Sequence, residues 1–311
     1  MKKFIKILII FGLWIFGLAT VADFVISKNL RKIKDSVALS GWNYILSNKN
    51  LKHNAIIMGD SRGMEHYNPV ILDSLLHFDF YNLGIEGGRI SGQMLKYNTY
   101  RQFNRQPDII IYEINHSSMC LGSGPREQFF PHFHNRHFLE QANKLCNFSI
   151  FEMYMPLYRY AGYPALIQAG MGLGEINNRA DLTKGYYPVP VSRGFYRNTE
   201  EKQNEISINA DSTAIYLFKN FLSQVHQKSK IILVYSPVYI EITENIRNID
   251  KLYQMYDGIA KQYDITILYY NKDSICCDST LFVNVNHLNE KGANLFTTKL
   301  AHDIDSLKFL H

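Results

Sequence analysis

Asn54-Ala55-Ile56-Ile57-Met58-Gly59-Asp60-Ser61 decides how the chain is read. Four successive apolar residues are too few for a stable helix and lack the alternation of a half-exposed strand. They fit a short strand buried on both faces. Gly59 then eases a tight turn, and Ser61 is left at the strand's carboxyl end. Outward from here the same unit repeats. Asn68 can cap a helix that starts at Pro69. Phe78 to Leu83 reads as a second strand, Ser91 can cap a helix running to about Phe103, and Asp108 to Ile114 is a third buried strand. Strands alternating with helices at this spacing predict βαβ units on a parallel sheet. The expected architecture is a three-layer α/β sandwich with a central parallel sheet.

The rhythm breaks between about residues 117 and 210, a stretch rich in aromatics, Gly, Pro and Asn. Arg136–Lys144 and Met155–Gln168 are its expected helices. It reads as an insertion, placed to act as a lid because it leaves the chain directly after Asn115, at a strand's carboxyl end. Its aromatic side chains suit either core filling or stacking on sugar rings, the former being the simpler reading. The α/β pattern then resumes. A helix shows its apolar face at Ala214, Leu217, Phe218, Phe221, Leu222 and Val225, and Lys230 to Tyr235 is a strand. Another helix covers about Ile246–Gln262, Ile265 to Tyr270 is a strand, and Asn289 caps a final helix.

Composition narrows the classes. The 311 residues are 46% hydrophobic and include 21 Tyr and 19 Phe, which excludes a disordered chain. Seven Lys/Arg and two acids fall in residues 1–35, while the rest is balanced at 26 basic and 26 acidic residues. A neutral main body has no electrostatic footprint for nucleic acid. The surplus charge instead flanks an apolar run from Ile7 to Ile26, broken only by Asp23. Twenty helical residues rise about 30 Å, the thickness of a bilayer core. Thr20-Val21-Ala22 could pass as a cleavage site, but the apolar run continues beyond it into Lys28–Lys34. Residues 1–35 are therefore read as a retained signal anchor with a basic flank. Residues 36–311 are read as one α/β domain on the extracytoplasmic side of the cell membrane. Cys120, Cys146, Cys276 and Cys277 show no C-x-x-C spacing; a Cys120–Cys146 disulfide and buried free thiols are both open, the thiols being the simpler reading.

Chemistry-bearing residues gather at strand ends. Ser61 is a candidate nucleophile, which requires a base to take its proton. Gly84 ends the second strand, where backbone N–H groups can face a developing oxyanion. Asn115 ends the third strand and offers a side-chain donor. His287, opening the last helix, is a candidate base. On these residues the chain resembles the SGNH (GDSL-type) hydrolase superfamily, particularly its membrane-anchored members of bacterial cell envelopes. Gly59-Asp60-Ser61, Asn82-Leu83-Gly84, Asn115 and His287 carry the resemblance, which spans about residues 50–310 apart from most of the insertion.

The resemblance implies an SGNH/flavodoxin-like sheet, Ser61 as nucleophile, His287 as base, and an oxyanion hole from Ser61, Gly84 and Asn115. It also implies an ester-linked acyl group on an envelope glycan or lipid as substrate, for a hydrolase or an acyltransferase. No metal or organic cofactor is implied. The chain departs from the pattern at Arg62, at Glu113 and His116, and at Asn284, which stands where an acid would orient the histidine. Asn284 itself or a carbonyl could hold the ring, or another acid such as Asp278 or Glu113 could substitute; alternatively, the site binds glycan or scaffolds envelope machinery without catalysing. Arg62, Arg89 and His116 are further candidates to line the substrate pocket.

Overall fold

The computed structural model describes residues 1–176, 182–196 and 210–307. In chain order its elements are α1 (Lys2–Leu30), α2 (Ser40–Ser47), β1 (Ala55–Met58), α3 (Ser61–His66), α4 (Pro69–Leu76), β2 (Phe80–Asn82), α5 (Ile90–Phe103) and β3 (Ile109–Glu113). There follow α6 (Arg136–Cys146), α7 (Ile150–Tyr154), α8 (Pro164–Met171), α9 (Ser212–Val225), β4 (Lys230–Tyr235), α10 (Ile240–Glu244), α11 (Ile249–Tyr263), β5 (Thr266–Tyr269) and α12 (Glu290–Ser306). They form two compact units. One comprises Met1–Ser47 and Pro125–Asp181, the other Asn48–Gly124 and Leu182–His311.

The second unit is an α/β sandwich on an all-parallel five-stranded sheet of order β2-β1-β3-β4-β5. Strand alternation sorts the core into two layers. Ile57, Ile109, Ile111, Ile232 and Val234 pack with Leu72 of α4 and with Ala293, Phe296, Leu300 and Ile304 of α12. On the other face Tyr112 of β3 meets Phe218 and Phe221 of α9, and Tyr97 of α5 also meets Phe221. Asn68 and Asn289 cap α4 and α12 as their side chains predict. Ser91 does not cap α5: Arg89 holds that position, and the Ser91 side chain is buried one residue inside the helix.

In the first unit the last turns of α1 turn apolar residues inward. Ile26 and Leu30 are buried, and a Cβ on Gly170 of α8 would lie 2.6 Å from Ile26, so glycine there permits close helix packing. Phe129, Phe130, Phe133, Phe148 and Tyr160 interlock edge to face, which makes these aromatics of the insertion core rather than sugar platforms. The helix expected over Met155–Gln168 is broken. Leu157 at φ 63° and the start of α8 at Pro164 interrupt it.

The units divide the chain after Ser47, Gly124 and Asp181. The apolar end of α1 needs cover, and residues from Pro125 onward share its core, whereas the segment from Leu182 belongs with the sheet. Residues 177–181 and 197–209 of the expected insertion lie outside the described residues. All four cysteines are free thiols.

Candidate active site

The site assembles at the carboxyl ends of β1, β2, β3 and β4, where parallel sheets leave loop backbone and side chains convergent. After β1 the chain turns through Gly59 at φ 148°, a conformation open to glycine; a Cβ there would also lie 2.7 Å from that of Glu113. Asp60 then caps α3 by accepting from Arg62 N at 3.0 Å, so Ser61, just past the strand's carboxyl end, opens a helix. In that first turn its N–H has no preceding turn to bond to.

Ser61 Oγ lies 2.8 Å from His287 Nε2. The histidine sits in a tight loop before α12, held where Val283 N donates to His287 O at 2.9 Å and where Phe282 bridges Leu288. His287 Nδ1 is 3.0 Å from Asn284 Oδ1. The same oxygen accepts from Asn286 N at 2.9 Å and His287 N at 3.0 Å. Two backbone donors can point only at an acceptor, so they fix the amide with its oxygen toward the ring. The Asn284 nitrogen donates to Tyr196 OH at 3.2 Å. Nδ1 therefore carries the proton, and Nε2 is left with a lone pair facing Ser61. Loss of solvation, with Arg62 adding to it and Asp60 opposing, pushes the His287 imidazole down to about 4. It is neutral at pH 7.

Neither alternative acid holds this ring. Asp278 caps a short 3₁₀ turn, accepting from Thr280 N at 2.9 Å. Glu113 is fully buried under the site. It pairs with Arg62 Nη2 at 2.9 Å and accepts from the Tyr67 hydroxyl and from Ser236 N. Burial pushes its carboxyl up to about 7 against the pull of Arg62.

Arg62 is only 3% exposed, so its expected place in the substrate pocket is corrected. Besides Glu113, its Nη2 donates to Ser236 O at 2.6 Å. Its charge is spent on tying α3 to β3 and to the end of β4. Ser236 Oγ lies 2.8 Å from His66 Nδ1, and His66 Nε2 accepts from Leu288 N at 3.0 Å. The buried His66 ring, its protonation suppressed first by burial and then by Arg62 and His287, thus holds the residue next to His287.

Gly84 has a different local role from the one expected. Its N–H donates to Asn82 Oδ1 at 2.8 Å, so it does not point free at an oxyanion. A Cβ at Gly84 would lie 2.3 Å from Met64 N, so the glycine lets β2's exit touch α3. Asn82 closes the same contact, donating to Gly63 O at 2.8 Å and to Tyr67 O at 3.2 Å. Asn115 is buried and oriented. Its Nδ2 donates to Asp60 Oδ2 at 2.7 Å, and its Oδ1 accepts from Ser117 N and Ser117 Oγ, both at 2.8 Å. One Nδ2 hydrogen remains, on a side chain tied to the residue before Ser61. His116 is half-buried, its imidazole pushed down to about 4 by burial; its Nδ1 is buried with no hydrogen-bond partner in the structure. Arg89 is exposed at the start of α5.

Asp60, His66, Asn82, Tyr196 and Ser236, not singled out in the sequence, hydrogen-bond the candidate residues or their neighbours. Asp60 and Asn82 lie inside the quoted motifs and Ser236 directly follows a strand, but only their partners reveal what they hold. His66 and Tyr196 carry no local signal.

No family model matches the chain, nor does any curated protein. Among solved structures it is similar to an acetyl xylan esterase from the rumen bacterium Butyrivibrio proteoclasticus. The identity is 12% and the TM-score 0.31, over 83% of this chain and 65% of that one. This chain thus spans somewhat less than two thirds of that protein's length. At that TM-score the likeness says nothing of chemistry, which rests on the residues themselves.

Proposed function

We propose that the protein is a membrane-anchored serine hydrolase or acyltransferase of SGNH type, acting on ester-linked acyl groups of an envelope glycan or lipid. The observation that carries this reading is the relay from Ser61 Oγ through the His287 ring to Asn284 Oδ1, with contacts of 2.8 Å and 3.0 Å. Ser61 attacks the acyl carbonyl while His287 Nε2 takes its proton. The oxyanion is held by Ser61 N–H and the remaining Asn115 hydrogen. Collapse expels the alcohol, which receives the proton from His287 and leaves an acyl-Ser61 ester. Water, or a second alcohol in the transfer reaction, is deprotonated by the same ring, attacks the ester and releases Ser61.

Asn284 orients the ring but brings no negative charge to stabilise imidazolium, so the base is weaker than one backed by a carboxylate. The anchor is α1. It is long and apolar enough to cross a membrane, and its large side chains from Phe4 to Val25 are mostly exposed. The α/β unit is assigned to the extracytoplasmic side.

A fluorophosphonate probe tests the chemistry. The full chain should label at Ser61, lose the label in Ser61→Ala, and label much more slowly in His287→Ala. Folded protein that takes no label would replace the enzyme reading with that of a glycan-binding or scaffolding protein.

A further inference from the structure

Asp23 is the one charge in the apolar run of α1, and it does not stand alone. It pairs with the Arg159 guanidinium, lies 2.8 Å from His134 Nε2, and accepts from Leu157 N at 2.8 Å. It is 2% exposed. If the run Ile7–Ile26 spans the bilayer core, Asp23 lies three residues, or about 4.5 Å, inside its end. A lone carboxylate at that depth is costly, and such charges are found paired. Its partners come from residues 134–159, so that segment itself reaches the level at which the apolar run ends.

The stretch of residues 149–173 exposes large apolar side chains. Ile150, Phe151, Tyr154, Tyr158, Met171 and Leu173 are each more than half exposed. Within residues 149–173 the charged residues are Glu152, paired with Arg126 at 2.9 Å, and Arg159, committed to Asp23. The heights along α1 agree. Tyr154 shares a cleft of about 510 Å³ with Thr20 and Asp23. Asn29 Nδ2 donates to Gly170 O at 2.8 Å, which sets Met171 and Leu173 near the last turn of α1. The Phe151 and Tyr158 rings meet at a tilt, their centroids 5.6 Å apart. Exposed Tyr, Phe, Met and Leu beside the end of a span have the composition of a membrane-interface element.

We propose that residues 149–173 form a membrane-interface collar around the C-terminal turns of α1, with these six side chains seated in the headgroup–acyl boundary of the lipid bilayer. The occupant is lipid because these apolar side chains lie beside the end of the span, where α8 packs on Ile26 through Gly170. The collar rests on the reading of α1 as a membrane anchor, and the two are tested separately. The full chain, with its four native cysteines replaced by alanine, is labelled with bimane at Leu13→Cys, Phe151→Cys or Leu173→Cys. Each form is placed in lipid nanodiscs with and without brominated acyl chains. Circular dichroism melts confirm that each labelled form is folded.

Quenching at Leu13 reports the anchor. Emission at 151 and 173 should also fall by about half, as for side chains seated 5–10 Å into the boundary, and should resist aqueous iodide. Quenching at 13 with iodide-accessible dyes at 151 and 173 would overturn the collar, leave the anchor standing, and give the apolar face to a protein partner. Absence of quenching at 13 would overturn the anchor, and the collar with it.

Discussion

Each unit buries an arginine against a carboxylate, and the two pairs differ in what they are wired to. In the α/β unit Arg62 meets Glu113, and Ser236 and His66 carry that contact on to Leu288, beside His287. In the first unit Arg159 meets Asp23, and the remaining partners are His134 and a backbone N–H. Both sets of charges are desolvated, so neither pair is a large net source of stability; removing one partner is what costs. The first pair positions reacting groups, whereas the second allows an acid to sit in an apolar helix.

Glu113→Gln is the largest test of that difference. It keeps the side chain's size, strips the counter-charge from a fully buried Arg62, and should destabilise the α/β unit by ~3–5 kcal/mol. Unfolding followed by intrinsic fluorescence should shift accordingly. Phosphonate labelling of Ser61 should also slow in protein that remains folded, because the Ser236–His66 link moves with Arg62. Labelling unchanged in the folded fraction would reduce the pair to a packing element.

Asp23→Ala comes next. It leaves Arg159 unpaired, yet His134 is partly exposed, so the cost should sit at the low end, ~3 kcal/mol. In nanodiscs the transition of the first unit should fall while the rate on a soluble ester stays unchanged. A loss of esterase rate as large as that of Glu113→Gln would show that the two pairs are not functionally separate.

The two units were also unequally legible. Short apolar strands, Asn68 before Pro69 and Asn289 before α12 are local signals, and the parallel sheet follows from them. Ser61, Asn115 and His287 could be singled out because strand ends and helix starts are where such folds expose side chains, and the structure brings Ser61 within 2.8 Å of His287. The mistakes share a cause. Arg62 looked like a substrate residue because its partner Glu113 is 51 positions away, and Gly84 looked like an oxyanion donor because sequence does not reveal that Asn82 takes its N–H. The first unit was hardest to read. Its core joins α1 to residues more than a hundred positions later, and no periodicity in an aromatic insertion states that an Asp in an apolar helix needs an Arg.

Asn284→Asp is the smallest change and addresses the relay directly. In a serine protease the reverse change costs roughly 10⁴-fold because an amide stabilises the wrong tautomer. Here that loss has already been avoided, since the N–H groups of Asn286 and His287 hold Asn284 Oδ1 toward Nδ1. What aspartate adds is charge alone, and the plateau rate should rise by about 10–100-fold, well short of that figure. The pH profile gives the sign. Below about 4 the His287 ring is protonated and cannot accept from Ser61, so activity climbs through that pH and is flat at neutrality. A carboxylate on Nδ1 favours imidazolium and should move this limb upward by about 1–3 pH units. The pH dependence of kcat/KM on a soluble ester, measured for both forms, separates the effects. A higher plateau with a shifted limb means the relay lacked only charge. A shifted limb with no gain in rate would mean that proton transfer to His287 does not limit the reaction, and that Asn284 holds the ring as well as the chemistry requires.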